Sequence, residues 1–113
     1  MAITIYHNPK CGTSRDTLAL IRAAGKEPRV VEYLKTPLTK PELKALVKKA
    51  GVPVREIVRA KEALYDELHL DKASDEKLFD AMAEHPILLN RPIVETDKRA
   101  LLCRPSETVK ELL

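Results

Sequence analysis

The stretch Ile3-Thr4-Ile5-Tyr6-His7-Asn8-Pro9-Lys10-Cys11-Gly12-Thr13-Ser14-Arg15-Asp16-Thr17-Leu18 decides the reading of the chain. Ile3 to Tyr6 alternates β-branched and polar residues, the pattern of a short strand. His7-Asn8-Pro9 ends it, because proline has no N–H for a sheet ladder. After Cys11-Gly12-Thr13-Ser14 the spacing turns helical. Thr17, Leu18 and Ile21 share one face, while Arg15, Asp16 and Arg22 can stay wet. Gly25 is a natural C-terminal stop. Arg29 to Tyr33, centred on Val30-Val31, reads as a second strand. Strand, helix and strand within about thirty residues predict a βαβ unit with parallel strands.

Further along, Thr36 to His85 reads as helical. Thr39-Lys40-Pro41-Glu42 has the spacing of a capping box with proline in the first turn. Leu43, Leu46, Val47 and Ala50 then form an apolar stripe closed by Gly51. Val54–Val58 and Lys61–Leu68 are shorter turns, the second with Leu64 and Leu68 one turn apart. Ser74-Asp75 opens a helix that faces Leu78, Phe79 and Met82 inward and ends before His85-Pro86. Ile93–Glu95 and Ala100–Cys103 are brief strands around a hairpin turn at Thr96-Asp97-Lys98-Arg99. Pro105 at a first helical position, with Val109, Leu112 and Leu113, predicts a terminal helix. The expected architecture is α/β: a thioredoxin-like four-stranded mixed sheet (βαβ…ββα) with an inserted helical subdomain. Residues 1–113 form one domain in this reading, with the insertion at about 37–86.

Composition narrows the function. The chain has 113 residues, 44% of them hydrophobic and 33% charged, which suits one globule with a real core. Its net charge of +3 is small and dispersed, and argues against a nucleic-acid partner. No signal peptide or membrane-spanning run is expected, so the default is a cytoplasmic protein with no membrane partner. In a reducing compartment Cys11 and Cys103 do not form a permanent disulfide.

Cys11 stands where a strand hands over to a helix. The N–H groups of a helix's first turn lack internal partners and carry partial positive charge. A thiol there is pushed towards thiolate, and the same amides can hold an anion beside it. Lys10 and Arg15 add positive charge. Ser14 occupies the place of a resolving cysteine in a C-x-x-C motif, so Cys11 cannot close a disulfide within that motif. His7 is either an activator of Cys11, through its base or its cation, or a histidine hydrogen-bonded at a strand end. His69 and His85 read as surface or helix-end residues. Cys103 ends an apolar strand and reads as a buried, inert thiol.

The run Asn90-Arg91-Pro92-Ile93 precedes the third strand. In a thioredoxin-like plan that loop packs on the reactive cysteine and carries a cis proline, which Pro92 supplies. Arg91 beside it, and Arg104 of Cys103-Arg104-Pro105, converge on the same edge as a candidate anion clamp, since guanidinium forks match tetrahedral oxyanions. A phosphatase loop would need Arg six residues after Cys11, where Thr17 stands. GxxxxGK[ST], GxGxxG and HExxH motifs are absent. No metal site is expected, because His7, Cys11 and Cys103 lack a second ligand pair.

Together the segments Ile3–Pro9, Cys11–Arg15, His85–Val94 and Cys103–Glu107 resemble the glutaredoxin-coupled arsenate reductases of the ArsC family, in order and over nearly the whole chain. The resemblance implies reduction of arsenate to arsenite, with Cys11 as nucleophile, His7 associated with its activation and Ser14 as a hydroxyl near its sulfur. It places Arg59, Arg91 and Arg104 on the oxyanion. Arg59 is selected by the resemblance alone. No bound cofactor is implied; glutathione enters as co-substrate and glutaredoxin as partner. The sequence departs from relatives at Ala60, after Arg59, and in the glycine-free turn at Thr96–Arg99. Two other readings share the fold: a thiol- or glutathione-dependent reductase of another substrate, and an Spx-type regulator that binds RNA polymerase. The regulator commonly uses a C-x-x-C switch, which Ser14 removes.

Overall fold

The computed structural model describes residues 2–113. It divides into two compact units, one made of the residues up to Thr36 together with Arg91–Leu113, the other of Pro37–Asn90.

The first unit is built on a four-stranded sheet of order β2-β1-β3-β4. β1 is Thr4–Tyr6, β2 Arg29–Val31, β3 Ile93–Glu95 and β4 Ala100–Leu102. β1 and β2 run parallel, with Ile5 opposite Val30, across the helix α1 (Gly12–Ala23). β3 joins the other side of β1 antiparallel, Ile5 opposite Val94, and β4 completes the hairpin with Val94 opposite Leu101. This is the mixed sheet of the predicted βαβ…ββα plan.

Ile3 and Ile5 lie two apart and share one face of the sheet. They meet Ile21 of α1, Val94, Cys103, Val109 and Leu112 in a single apolar core. α1 ends as the sequence predicts, with Gly25 at φ 79° just beyond its cap. Its start differs: the helix begins at Gly12, so Gly12, Thr13 and Ser14 form its first turn, and Cys11 is the N-cap residue.

The terminal helix also differs. Ser106–Leu112 is a 3-10 helix, and Pro105 precedes it in extended backbone instead of occupying its first turn. The tighter winding has a packing reason: at three residues per turn, Val109 and Leu112 fall on one line, and both are buried.

The second unit is helical. α2 (Lys40–Ala50) carries the full capping box, with Glu42 N–H donating to Thr39 Oγ1 and Thr39 N–H donating to Glu42 Oε1 at 2.9 Å. Gly51 closes it in the left-handed region. α4 (Asp75–Glu84) is capped by Ser74 and turns Leu78, Phe79 and Met82 inward. Lys40 bridges Glu76 and Asp80, and Lys44 reaches Glu76, each at 2.6 Å. Hydrogen bonds from both lysines hold the Glu76 carboxyl down at about 2.

Between these helices the chain departs from expectation. α3 shrinks to Ala63–Glu67 and buries nothing; Leu68 is exposed, and Leu70, in the 3-10 turn Leu70–Lys72, is buried instead. Arg55 explains the arrangement. It donates to Tyr65 Oη at 3.0 Å, Leu70 O at 2.9 Å and Ala73 O at 2.7 Å, pinning this segment to the 3-10 turn Val54–Ile57. An antiparallel bridge of Val58 with Leu89 and an Asn90 N–H bond to Ile57 O draw residues up to Asn90 into the unit.

Candidate active site

The loop between β1 and α1 builds the site. His7 N–H donates to Val31 O, carrying the parallel pairing one residue past β1. Asn8 O then accepts from Cys11 N–H at 3.0 Å, which closes a turn through Pro9 and Lys10. Cys11 leaves that turn in extended backbone and starts α1 with its carbonyl, which accepts from Arg15 N–H. The thiol is partly exposed at the positive end of the helix.

Four influences compete at Cys11. Burial pushes its thiol up; the Ser14 N–H, the Arg104 guanidinium and the Thr13 N–H pull it down, and together they win. Arg104 Nη1 lies 3.6 Å from Cys11 Sγ and donates to Arg91 O at 2.8 Å. The carbonyl of the residue before Pro92 thus fixes the guanidinium that stabilises the thiolate. Arg91–Pro92 is cis, as predicted, and Arg104–Pro105 is cis as well, which the sequence did not announce.

His7 is placed differently from either activating reading. Its Nδ1 is 2.6 Å from Ser14 Oγ, not on the sulfur. His7 is 6% exposed, and burial lowers its pKa, disfavouring the cation. Ser14 Oγ also accepts from Asn8 N–H at 3.1 Å. With that lone pair occupied, the Ser14 hydroxyl proton is free to donate to Nδ1 of a neutral imidazole. His7 therefore bears on Cys11 through Ser14, whose own N–H acts on the sulfur.

The arginines separate. Arg104 and the buried Arg91 belong to the sheet unit and are joined through the Arg91 carbonyl. Arg59 belongs to the helical unit, where its N–H donates to Leu88 O and its Nε lies 3.8 Å from Glu62. Asn8 is what the sequence reading passed over. It is 4% exposed and takes part in three hydrogen bonds of the loop, and its signal was an Asn-Pro pair directly after a strand.

Cys103 is fully buried in the sheet unit's core. Burial, with the Glu111 carboxylate adding to it, pushes its thiol up to about 12. It is no nucleophile at neutral pH. Cys103→Ala is expected to keep full turnover while losing about 1 kcal/mol of stability to the small void; kinetics beside a thermal melt check both. Among the described residues, no group of three or more His, Cys, Asp or Glu could hold a metal ion.

The model of the ArsC family matches residues 6–112, which spans the loop, Arg91, Arg104 and the helical segment. The chain belongs to the ArsC family. This ArsC chain is 56% identical to an arsenate reductase of Rhizobium meliloti (strain 1021), over all of its own length and 82% of that relative. It is 53% identical to an arsenate reductase of Escherichia coli (strain K12), over 98% of its length and 80% of the relative. Among solved structures, the arsenate reductase from Vibrio cholerae superposes with a TM-score of 0.96 at 49% identity, covering 100% of this chain and 98% of that one. The fold and the family read from the motifs are thereby confirmed.

Proposed function

We propose that this ArsC-family chain is a glutaredoxin-dependent arsenate reductase whose nucleophile is Cys11. The observation that carries the reading is the Arg104 guanidinium 3.6 Å from a thiol at the N-terminus of α1, in a chain of this family. The thiolate attacks arsenic, a sulfur–arsenic bond forms, and one oxygen leaves as hydroxide or water. Glutathione attacks the adduct next, and glutaredoxin resolves the mixed species. Overall, arsenate takes up two electrons and two protons and releases one oxygen as water. Two thiols supply the electrons and end as a disulfide.

Ser14 in place of a second cysteine suits this scheme, because the reducing thiols then come from outside the chain. Arg104 and Arg91 of the sheet unit bind the oxyanion, and the resemblance to the family's motif gives Arg59 the same role. An arsenate oxygen approaching Cys11 would also meet the first-turn amides. His7 and Ser14 tune the nucleophile. The chain works as one domain, with the helical segment as its insertion, and acts in the cytoplasm on arsenate, glutathione and glutaredoxin. No helix is long and apolar enough to cross a membrane among the described residues.

The test is NADPH oxidation coupled through glutathione reductase, with arsenate, glutathione and glutaredoxin supplied, against a parallel reaction driven by thioredoxin. Arsenate-dependent turnover in the first mixture and little in the second is expected. Turnover in neither sinks the arsenate reading, and equal turnover in both sinks the assignment of glutaredoxin as donor.

A further inference from the structure

We infer that Asn8 is a positioning residue for Cys11: its side chain locks the loop that holds the nucleophile against the first turn of α1. The inference deepens the proposed function and rests on Cys11 as nucleophile. Asn8 Oδ1 accepts from Lys10 N–H at 3.0 Å, Asn8 O accepts from Cys11 N–H at 3.0 Å, and Asn8 N–H donates to Ser14 Oγ at 3.1 Å. One residue therefore grips the loop two positions ahead, the nucleophile three ahead and the helix six ahead. Only the first of these bonds belongs to its side chain, and it is the one that shapes the backbone. An Asn side chain bonded to the N–H two residues on is a local turn that holds the carbonyl of the same residue in place for Cys11.

The chemistry follows from what faces the sulfur. The Thr13 and Ser14 N–H groups come from α1, and the Arg104 guanidinium from the segment after β4. Lys10 and Arg15 flank Cys11 along the chain, with Arg15 Nη1 donating to Pro9 O of the same turn. His7, neutral and buried, stands behind Ser14. Hydrogen bonds to a sulfur weaken steeply with misalignment, so a loop free to drift loses thiolate stabilisation from the α1 amides and Arg104 together. Asn8 touches no reacting atom. Its effect passes through the place where it puts the sulfur.

The experiment compares Asn8→Ala, which removes the acceptor, with Asn8→Ser, which restores a shorter one on the same turn. Two quantities are measured without arsenate: the pH profile of Cys11 alkylation by iodoacetamide, and hydrogen exchange at the Lys10 amide. Asn8→Ala is expected to move the alkylation midpoint upwards and to slow alkylation at pH 7 by about three- to tenfold, with faster exchange at Lys10. Asn8→Ser is expected to recover part of both. Should Asn8→Ala fail to fold, Asn8→Ser alone decides, since the two quantities must still move together. Faster Lys10 exchange with an unmoved midpoint, in any folded variant, overturns the inference. Because no arsenate is present, absence of arsenate turnover in the wild type would count against the proposed function and leave this result readable.

Discussion

Cys11→Ser is expected to fold normally and to lose arsenate reduction by at least about a thousandfold. A serine hydroxyl keeps the N-cap geometry and is itself a favoured cap residue, so the helix has no reason to suffer. The chemistry does suffer. An alcohol at the same position stays protonated near neutral pH, whereas the thiol is pushed up by its burial but drawn down further by Ser14, Arg104 and Thr13, towards the thiolate. A serine also cannot form the sulfur–arsenic bond through which external thiols deliver electrons. The measurement is the coupled assay beside a circular-dichroism melt. Retained turnover with an unchanged melt would reject Cys11 as nucleophile, and Cys103, buried and held near 12, is no substitute.

Arg104→Lys is the second large effect. One guanidinium nitrogen both faces the sulfur and donates to the Arg91 carbonyl, which leaves the rest of the fork for an oxyanion. Lysine keeps the charge but offers a single compact ammonium, which cannot span the sulfur, the carbonyl and arsenate together. The variant is expected to lose about tenfold or more in kcat/KM. Its alkylation midpoint should rise, because the guanidinium is one of the groups that lower the thiol. The sign is set by the protonation state. A depressed thiol is reactive above its midpoint and loses reactivity as pH falls through it, so a raised midpoint removes activity first on the acid side. A loss of arsenate affinity with no movement of the midpoint would show that Arg104 binds oxyanion without stabilising the free thiolate.

Much of this molecule was legible in its residues because strong local signals agreed with the tertiary structure. The alternation Ile3-Thr4-Ile5-Tyr6, the capping box at Thr39–Glu42 and the stops at Gly25 and Gly51 all mark what the chain does there. Elements decided by long-range contacts were harder to see. Arg55 truncates the helix expected over Lys61–Leu68 by binding carbonyls 15 and 18 residues away, a partner choice that no window of that length contains. The 3-10 winding of Ser106–Leu112 answers to the sheet unit's core, since Val109 and Leu112 must both enter it.

The site divides along the same line. Cys11 was visible because a cysteine at a strand-to-helix junction has a chemical meaning of its own. Arg91 and Arg104 were visible through their prolines, but their connection, a guanidinium on the other's carbonyl, is a product of the fold. His7 was read as a direct activator or a strand-end residue, and Ser14 stands between it and the sulfur. The resemblance put Ser14 near the sulfur, but its bond to His7 is a product of the fold, which a hydroxyl three positions into a helix does not announce in sequence.

Against its burial, the Cys11 sulfur is drawn towards its thiolate before any substrate arrives, by the Ser14 N–H, the Arg104 guanidinium and the Thr13 N–H. Ultraviolet titration of the wild-type thiolate, with Cys11→Ser subtracted as the baseline, tests this most directly. A midpoint clearly below the ordinary cysteine range of about 8.5 is predicted, moving upwards in Arg104→Lys. A midpoint at or above that range in the wild type would contradict the account.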